Sequence, residues 1–179
     1  MKQTTWKALA LVLALSGTAG LAAAEGSSVE QVIRSSGSGF ARSMELDEGQ
    51  AMCSRFRDRI PQELMPGFLQ AQKQLIRYPS SGQLVGDWQQ GEKLFSDSRK
   101  GNCYACHQGD PRELAAGNVG PPLTNYGMRG RSREVVQYTY EKIYNSWAFV
   151  PCSTMYRAGV HGILTPEEVA HVVAYLLEP

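Results

Sequence analysis

The sequence predicts an all-α protein, and three observations carry that expectation. Apolar residues recur at three- and four-residue intervals in several segments of the 179-residue chain. Two of these segments open on a hydroxyl side chain able to cap a helix, Ser132 and Thr165. No run of alternating β-branched residues bounded by tight turns occurs, and no internal repeat is visible.

The N-terminus is an export signal by composition. Lys2 and Lys7 form a positive region, Ala8 to Leu15 an apolar core, and Ala22-Ala23-Ala24 a small-residue cleavage site. Residues 1–24 are therefore expected to be a Sec signal peptide, which sends the protein to the periplasm. Ser16 and Gly17 break the apolar run well short of the roughly 20 residues that span a bilayer, so no membrane anchor is expected. Cleavage leaves 155 residues from Glu25, with 16 basic groups against 17 acidic ones. Such neutrality gives no reason to expect nucleic acid or an anionic membrane as partner.

Residues 25–83 read as a flexible arm and a helical extension. The arm, 25–43, is rich in Ser and Gly and has little to bury. A helix is predicted over Met44 to Ile60, where Leu46, Met52, Cys53, Phe56 and Ile60 alternate with charges. Pro61 and Pro66 interrupt, and a second helix is predicted from Gly67 to Arg77, closed by Tyr78-Pro79-Ser80-Ser81-Gly82.

The core domain is expected over 84–179. Its first helix holds Trp88, Gly91, Leu94 and Phe95, and an irregular segment runs from Gln108 to Arg131. Ser132 then caps a helix towards Tyr144, with Val135, Val136, Tyr140 and Ile143 as its apolar stripe. Thr165-Pro166-Glu167-Glu168 is a capping box that opens the last helix, where Val169, Val172, Val173, Leu176 and Leu177 face inwards.

Between the first core helix and the irregular segment lies Cys103-Tyr104-Ala105-Cys106-His107, a C-x-x-C-H run with the spacing of covalent haem attachment. Two thiols three positions apart can add to the two vinyl groups of one porphyrin, and the following imidazole then reaches the iron. Cys103 and Cys106 are thus the expected thioether residues of one haem c, and His107 its proximal ligand. A ligating imidazole donates its other N–H to an acceptor, and Gly120-Pro121-Pro122-Leu123 is placed to supply one. A thioredoxin-like use of the thiols would require a strand before the motif, where a helical stretch and a polar turn stand instead.

For the sixth ligand the residues leave Met155, Met128, His161 or an open position. Met155 is favoured, since it lies 48 residues after His107 and just before the last helix, and a thioether raises the potential of the iron. His161 would give a bis-histidine site of lower potential, and Met128 is so close to the proximal loop that packing at the haem edge suits it better. Arg129 and Arg131 are candidates to pair with the propionates. Trp88, Trp147 and the tyrosines between 138 and 144 are expected in the core or against the haem. His171 is given no role. Cys53 and Cys152 remain, and in an oxidising compartment such a pair is expected to form a disulfide.

Several segments together carry a family likeness. Gly86-Asp87-Trp88-Gln89-Gln90-Gly91-Glu92, Gly101-Asn102-Cys103 to His107, Gly117-Asn118-Val119-Gly120-Pro121-Pro122-Leu123, and Leu164-Thr165-Pro166-Glu167 with Val172-Val173-Ala174-Tyr175-Leu176 resemble the SoxX family of monohaem cytochromes. The resemblance spans about residues 44–179, and Cys53 and Cys152 fit it. It implies a class I cytochrome c-like fold with an N-terminal helical extension, thioethers at Cys103 and Cys106, proximal His107 and distal Met155. Where members often read Met-Pro-Arg-Phe-Gly, this chain reads Met155-Tyr156-Arg157-Ala158-Gly159.

The implied function is that of the haem subunit of a heterodimeric L-cysteine S-thiosulfotransferase, SoxAX, which oxidatively couples thiosulfate to a cysteine of the SoxYZ carrier protein. Implied partners are a SoxA-type cytochrome, the carrier, and a small c-type cytochrome as electron acceptor. Joining two sulfurs removes two electrons, whereas one iron stores one, and no spare thiolate or acid–base cluster is apparent. The chain is therefore expected to carry electrons while its partner handles sulfur. A free-standing periplasmic electron carrier and a haem sensor with an open sixth position are the competing readings.

Overall fold

Asp47 starts the first helix of the main body of the protein, α1 (Glu48–Phe56). Its carboxylate accepts from the Gln50 N–H and its own N–H donates to Gln50 Oε1, both at 2.9 Å, so two orphan amides are satisfied reciprocally. The helix ends before the predicted Ile60, because Arg57 and Asp58 both turn left-handed, with φ of 49° and 62°. Ile60 is buried all the same. Helix α2 (Met65–Gln74) begins two residues earlier than predicted. Pro66 falls in its first turn, where a missing N–H breaks no intrahelical bond.

These helices belong to a computed structural model that describes Gln31 and residues 45–112 and 115–178. The predicted signal peptide at 1–24, and the arm at 25–43 apart from Gln31, lie outside the described residues. The chain divides into two units, Met1–Glu45 and Leu46–Pro179, and both α1 and α2 lie in the second.

Helix α3 (Trp88–Ser96) is capped by Asp87, whose carboxylate accepts from the N–H groups of Gln89 and Gln90 at 2.8 and 3.1 Å. Ser132 caps α4 (Arg133–Tyr144), and Thr165 with Glu168 forms the capping box of α5 (Pro166–Leu176). Short 3₁₀ turns occupy Cys103–Ala105, Tyr126–Arg129 and Ser146–Ala148, and among the described residues there is no strand.

The core forms where α3 and α5 cross, with α4 against α5. Phe95, Tyr140, Leu164, Val169, Val172, Val173 and Leu177 are each at most 1% exposed. Burying each such side chain contributes about 2 kcal/mol. The α4 stripe is displaced from the predicted one, because Thr139, Tyr140, Ile143 and Tyr144 are buried whereas Val135 and Val136 are only partly so. Trp88, expected in the core, is 42% exposed. It sits at the first position of α3, while Gly91 and Phe95 occupy the buried face.

The crossing depends on Gly91. A Cβ there would lie 2.0 Å from the carbonyl oxygen of His171 and 2.8 Å from Cβ of Tyr175. Neither backbone can yield, so Gly91→Ala should lower stability by about 2–3 kcal/mol. Urea titration should show an earlier midpoint at unchanged slope, and a wild-type midpoint would contradict the close crossing. His171 also acquires a role the sequence did not reveal: its Nδ1 accepts from the Asp87 N–H at 2.8 Å, fastening the start of α3 to α5.

Residues on either side of position 84 pack together. The Tyr140 hydroxyl donates to the Arg77 carbonyl at 2.7 Å, and Asn145 Nδ2 donates to the Gln72 carbonyl at 2.7 Å. A second apolar cluster of Cys53, Ile60 and Phe68, with Trp147 and Cys152 against it, joins α1 and α2 to the loop that follows α4. The Cys53–Cys152 disulfide runs through this cluster, with the Cα atoms 5.6 Å apart.

Candidate haem site

Asn102 adopts a left-handed conformation (φ 43°), and the 3₁₀ turn that follows brings Cys103, Cys106 and His107 round one wall of a cavity of about 480 Å³. The His107 N–H donates to the Cys103 carbonyl at 2.8 Å and closes this turn. The motif therefore presents two sulfurs and one imidazole within a single turn of backbone.

The imidazole is held from behind. His107 Nδ1 lies 2.7 Å from the Pro121 carbonyl oxygen, so that nitrogen carries the proton and Nε2 is left with its lone pair. Gly120 makes this approach possible, since a Cβ there would fall 2.2 Å from the ring. The loop itself is fastened by the Gly120 N–H to the Cys106 carbonyl, 2.8 Å, and the Leu123 N–H to the Gln108 carbonyl, 2.7 Å.

Met155 lines the same cavity; Met128 and His161 do not. Met128 is 85% exposed, and His161 Nε2 is 2.8 Å from Arg157 Nη2. Met155 sits on a constrained loop: its carbonyl accepts from the Ser146 hydroxyl at 2.5 Å, and its N–H donates to Ser153 Oγ at 3.1 Å. Phe95, Ile143, Leu164, Val172 and Leu176 supply apolar surface between the histidine and methionine loops.

Two cations reach the cavity. Arg129 lines it with its guanidinium 4.8 Å from the centre of the Tyr126 ring. Lys142 lines it too, and burial holds its ammonium pKa below the ordinary value. Arg131 does not line it, because it is engaged elsewhere: its Nε donates to the Leu177 carbonyl at 3.1 Å and its Nη2 pairs with Glu178 at 2.8 Å. Sequence reasoning named Arg131 and missed Lys142. The spacing from Lys142 to Ile143, both on the cavity, could have indicated it only once the buried face of α4 was known.

Among the predicted aromatic neighbours, Tyr138 lines the cavity and packs edge-on against Phe149, with centroids 5.0 Å apart. Trp147 does not line it; its ring lies against Phe68 and beneath Arg157. The Tyr156 hydroxyl donates to the Gly101 carbonyl, joining the methionine loop to the start of the C-x-x-C-H turn.

The donor set suits a porphyrin. Two thiols at one edge, a proton-fixed imidazole, a thioether on the same cavity, apolar side walls and cations at the rim match the needs of a covalently held haem. Cys103 is held undissociated by its surroundings, burial pushing its thiol up to about 11.

Comparison with known proteins agrees with this geometry. The cytochrome c family profile matches residues 88–178. The chain is 46% identical over 147 residues to an uncharacterized lipoprotein of Aquifex aeolicus (strain VF5), an alignment that covers 74% of this chain and 70% of that protein. So large a share cannot be contained in 88–179, and the likeness therefore runs into the residues before Trp88. The chain belongs to the cytochrome c family, a family of electron-transfer proteins, and its cofactor is covalently bound haem c.

Proposed function

We propose that Cys103 and Cys106 carry the thioether links, that His107 and Met155 are the axial ligands, and that the protein is the electron-transfer subunit of a SoxAX-type L-cysteine S-thiosulfotransferase in the periplasm. The observation that carries the ligand set is the His107 ring, turned by the Pro121 carbonyl into a cavity that Met155 also lines. When bound, the haem supplies a one-electron couple. The chain's part is to fix the imidazole tautomer, exclude water with apolar walls, and set cations at the rim.

The sulfur-oxidation role rests on the resemblance of Gly101 to His107, Gly117 to Leu123 and the capped last helix to SoxX. It suits a chain whose cysteines are all committed, two to the disulfide and two to the haem motif. With no thiolate left over, the carrier cysteine and thiosulfate would be handled on a SoxA-type partner, and a small c-type cytochrome would take the electrons.

Two measurements test this. A 1:1 complex with a second cytochrome should survive purification from the native cell, and a chain that purifies alone would instead be a free-standing carrier. Met155→Ala should abolish the thioether-to-ferric-iron charge-transfer band. It should also lower the reduction potential by on the order of 0.2 V, a fraction of the roughly 0.8 V that axial ligands span. A wild-type protein without that band would be the open-site sensor.

A further inference from the structure

Arg157 stands two residues after Met155 on a loop, yet it is 0% exposed. Its guanidinium lies over the Trp147 ring, 4.1 Å from the centroid. Nη2 donates to the Asp47 carboxylate and lies 2.8 Å from His161 Nε2, Nη1 donates to Gln72 Oε1 at 3.3 Å, and Nε is buried without a partner. Asp47 caps α1 and Gln72 is on α2, so a residue of the methionine loop is fastened to the helical extension.

A second set of bonds meets the first. Asn145 Nδ2 donates to both the carbonyl and Oε1 of Gln72, at 2.7 and 3.2 Å. The next residue, Ser146, donates its hydroxyl to the Met155 carbonyl at 2.5 Å. Met155 is thus held through its own backbone on one side and through Arg157 on the other, and both routes end on Gln72.

Burying a guanidinium costs several kcal/mol unless its donors are met, and here one donor is left unmet. An apolar residue would fill the same volume without that cost. What it could not do is fix one loop geometry by simultaneous bonds to two helices. Lysine is no substitute, because it offers neither the planar stack on Trp147 nor two separated donors.

We propose that Arg157, acting through Asp47 and Gln72, is a positioning residue that sets how firmly Met155 holds the sixth coordination position. The inference rests on the reading of Met155 as the distal ligand. Its function is to keep the thioether in place against competing ligands, so the helical extension tunes an iron it does not touch.

The test uses the full-length, haem-loaded protein and three variants: Arg157→Lys, Asp47→Asn and Met155→Ala. Asparagine is as good a helix cap as aspartate, so Asp47→Asn removes the charge while keeping α1. The readouts are the thioether charge-transfer band and the affinity of the ferric protein for imidazole, taken far below the unfolding midpoint. Arg157→Lys and Asp47→Asn should bind imidazole at least about tenfold more tightly than wild type, the factor carried by one charge-assisted hydrogen bond. The band should weaken, with haem content and helicity unchanged.

A purely structural role would lower the melting temperature and leave both readouts alone, and that result overturns the proposal. Should Arg157→Lys not fold, Asp47→Asn decides alone. If Met155→Ala binds imidazole as wild type does, the ligand reading itself fails, and the inference with it.

Discussion

A chain carrying Cys103→Ala and Cys106→Ala together should be recovered without covalent haem and largely unfolded. Mass spectrometry of denatured protein should give the bare polypeptide, where wild type carries one extra porphyrin. The fold is expected to go with the cofactor because of the size of what it leaves. A cavity of about 480 Å³ lies between the motif, the Pro121 loop and helices α3 to α5. Phe95, Ile143, Leu164, Val172 and Leu176 line it, and without an occupant each apolar side chain so exposed would forfeit about 2 kcal/mol. A few such losses are a large share of a domain's stability, commonly about 5–15 kcal/mol. Far-ultraviolet circular dichroism should show the lost helicity. A double variant with wild-type haem content and absorbance would refute the attachment site.

How much of this could be read before the structure depends on the range over which each residue acts. The C-x-x-C-H motif is legible because the chemistry proposed for it forces its parts to be contiguous: five residues hold both thiols and the imidazole. Helix starts were legible for a similar reason. Ser132 and Thr165 act on amides three residues away, so cap and target share one short window. The early end of α1 was not, since Arg57 and Asp58 take left-handed backbones without a glycine to announce it.

The sequence does not show the role of a charge where burial decides it. Arg157 looks in the sequence like a solvated loop residue, and its partners Asp47 and Gln72 lie 110 and 85 positions away. Arg131, a candidate in the sequence, is taken by Glu178, while Lys142, which nothing in the sequence singles out, is brought to the cavity by the inward turn of α4. Trp88 shows the same limit for apolar residues, because the helix start and the buried face were each predictable and their relative phase was not. The Pro121 carbonyl was anticipated because a ligating histidine must have an acceptor, a demand of chemistry that holds whatever the fold.

The disulfide gives the second large expected effect. Replacing both Cys53 and Cys152 by serine should destabilise the protein by about 4 kcal/mol, since the link closes a loop of nearly a hundred residues in the unfolded chain. Calorimetry should register this as a melting temperature lower by roughly 10–15 °C. Serine matches cysteine closely in size, but its hydroxyl is more polar than sulfur, so burial beside Ile60, Phe68 and Trp147 adds a desolvation cost to the loss of the cross-link. The position of the bond makes the accompanying spectrum informative. Cys152 is three residues before Met155, but Met155 is also held by Ser146, Ser153 and, through the loop, Arg157. If those bonds govern the ligand, the double variant should keep its thioether charge-transfer band at room temperature while melting early. The disulfide would then act on the unfolded chain and the arginine on the native loop. An unchanged melting temperature would show that the cross-link adds nothing to the stability of this domain.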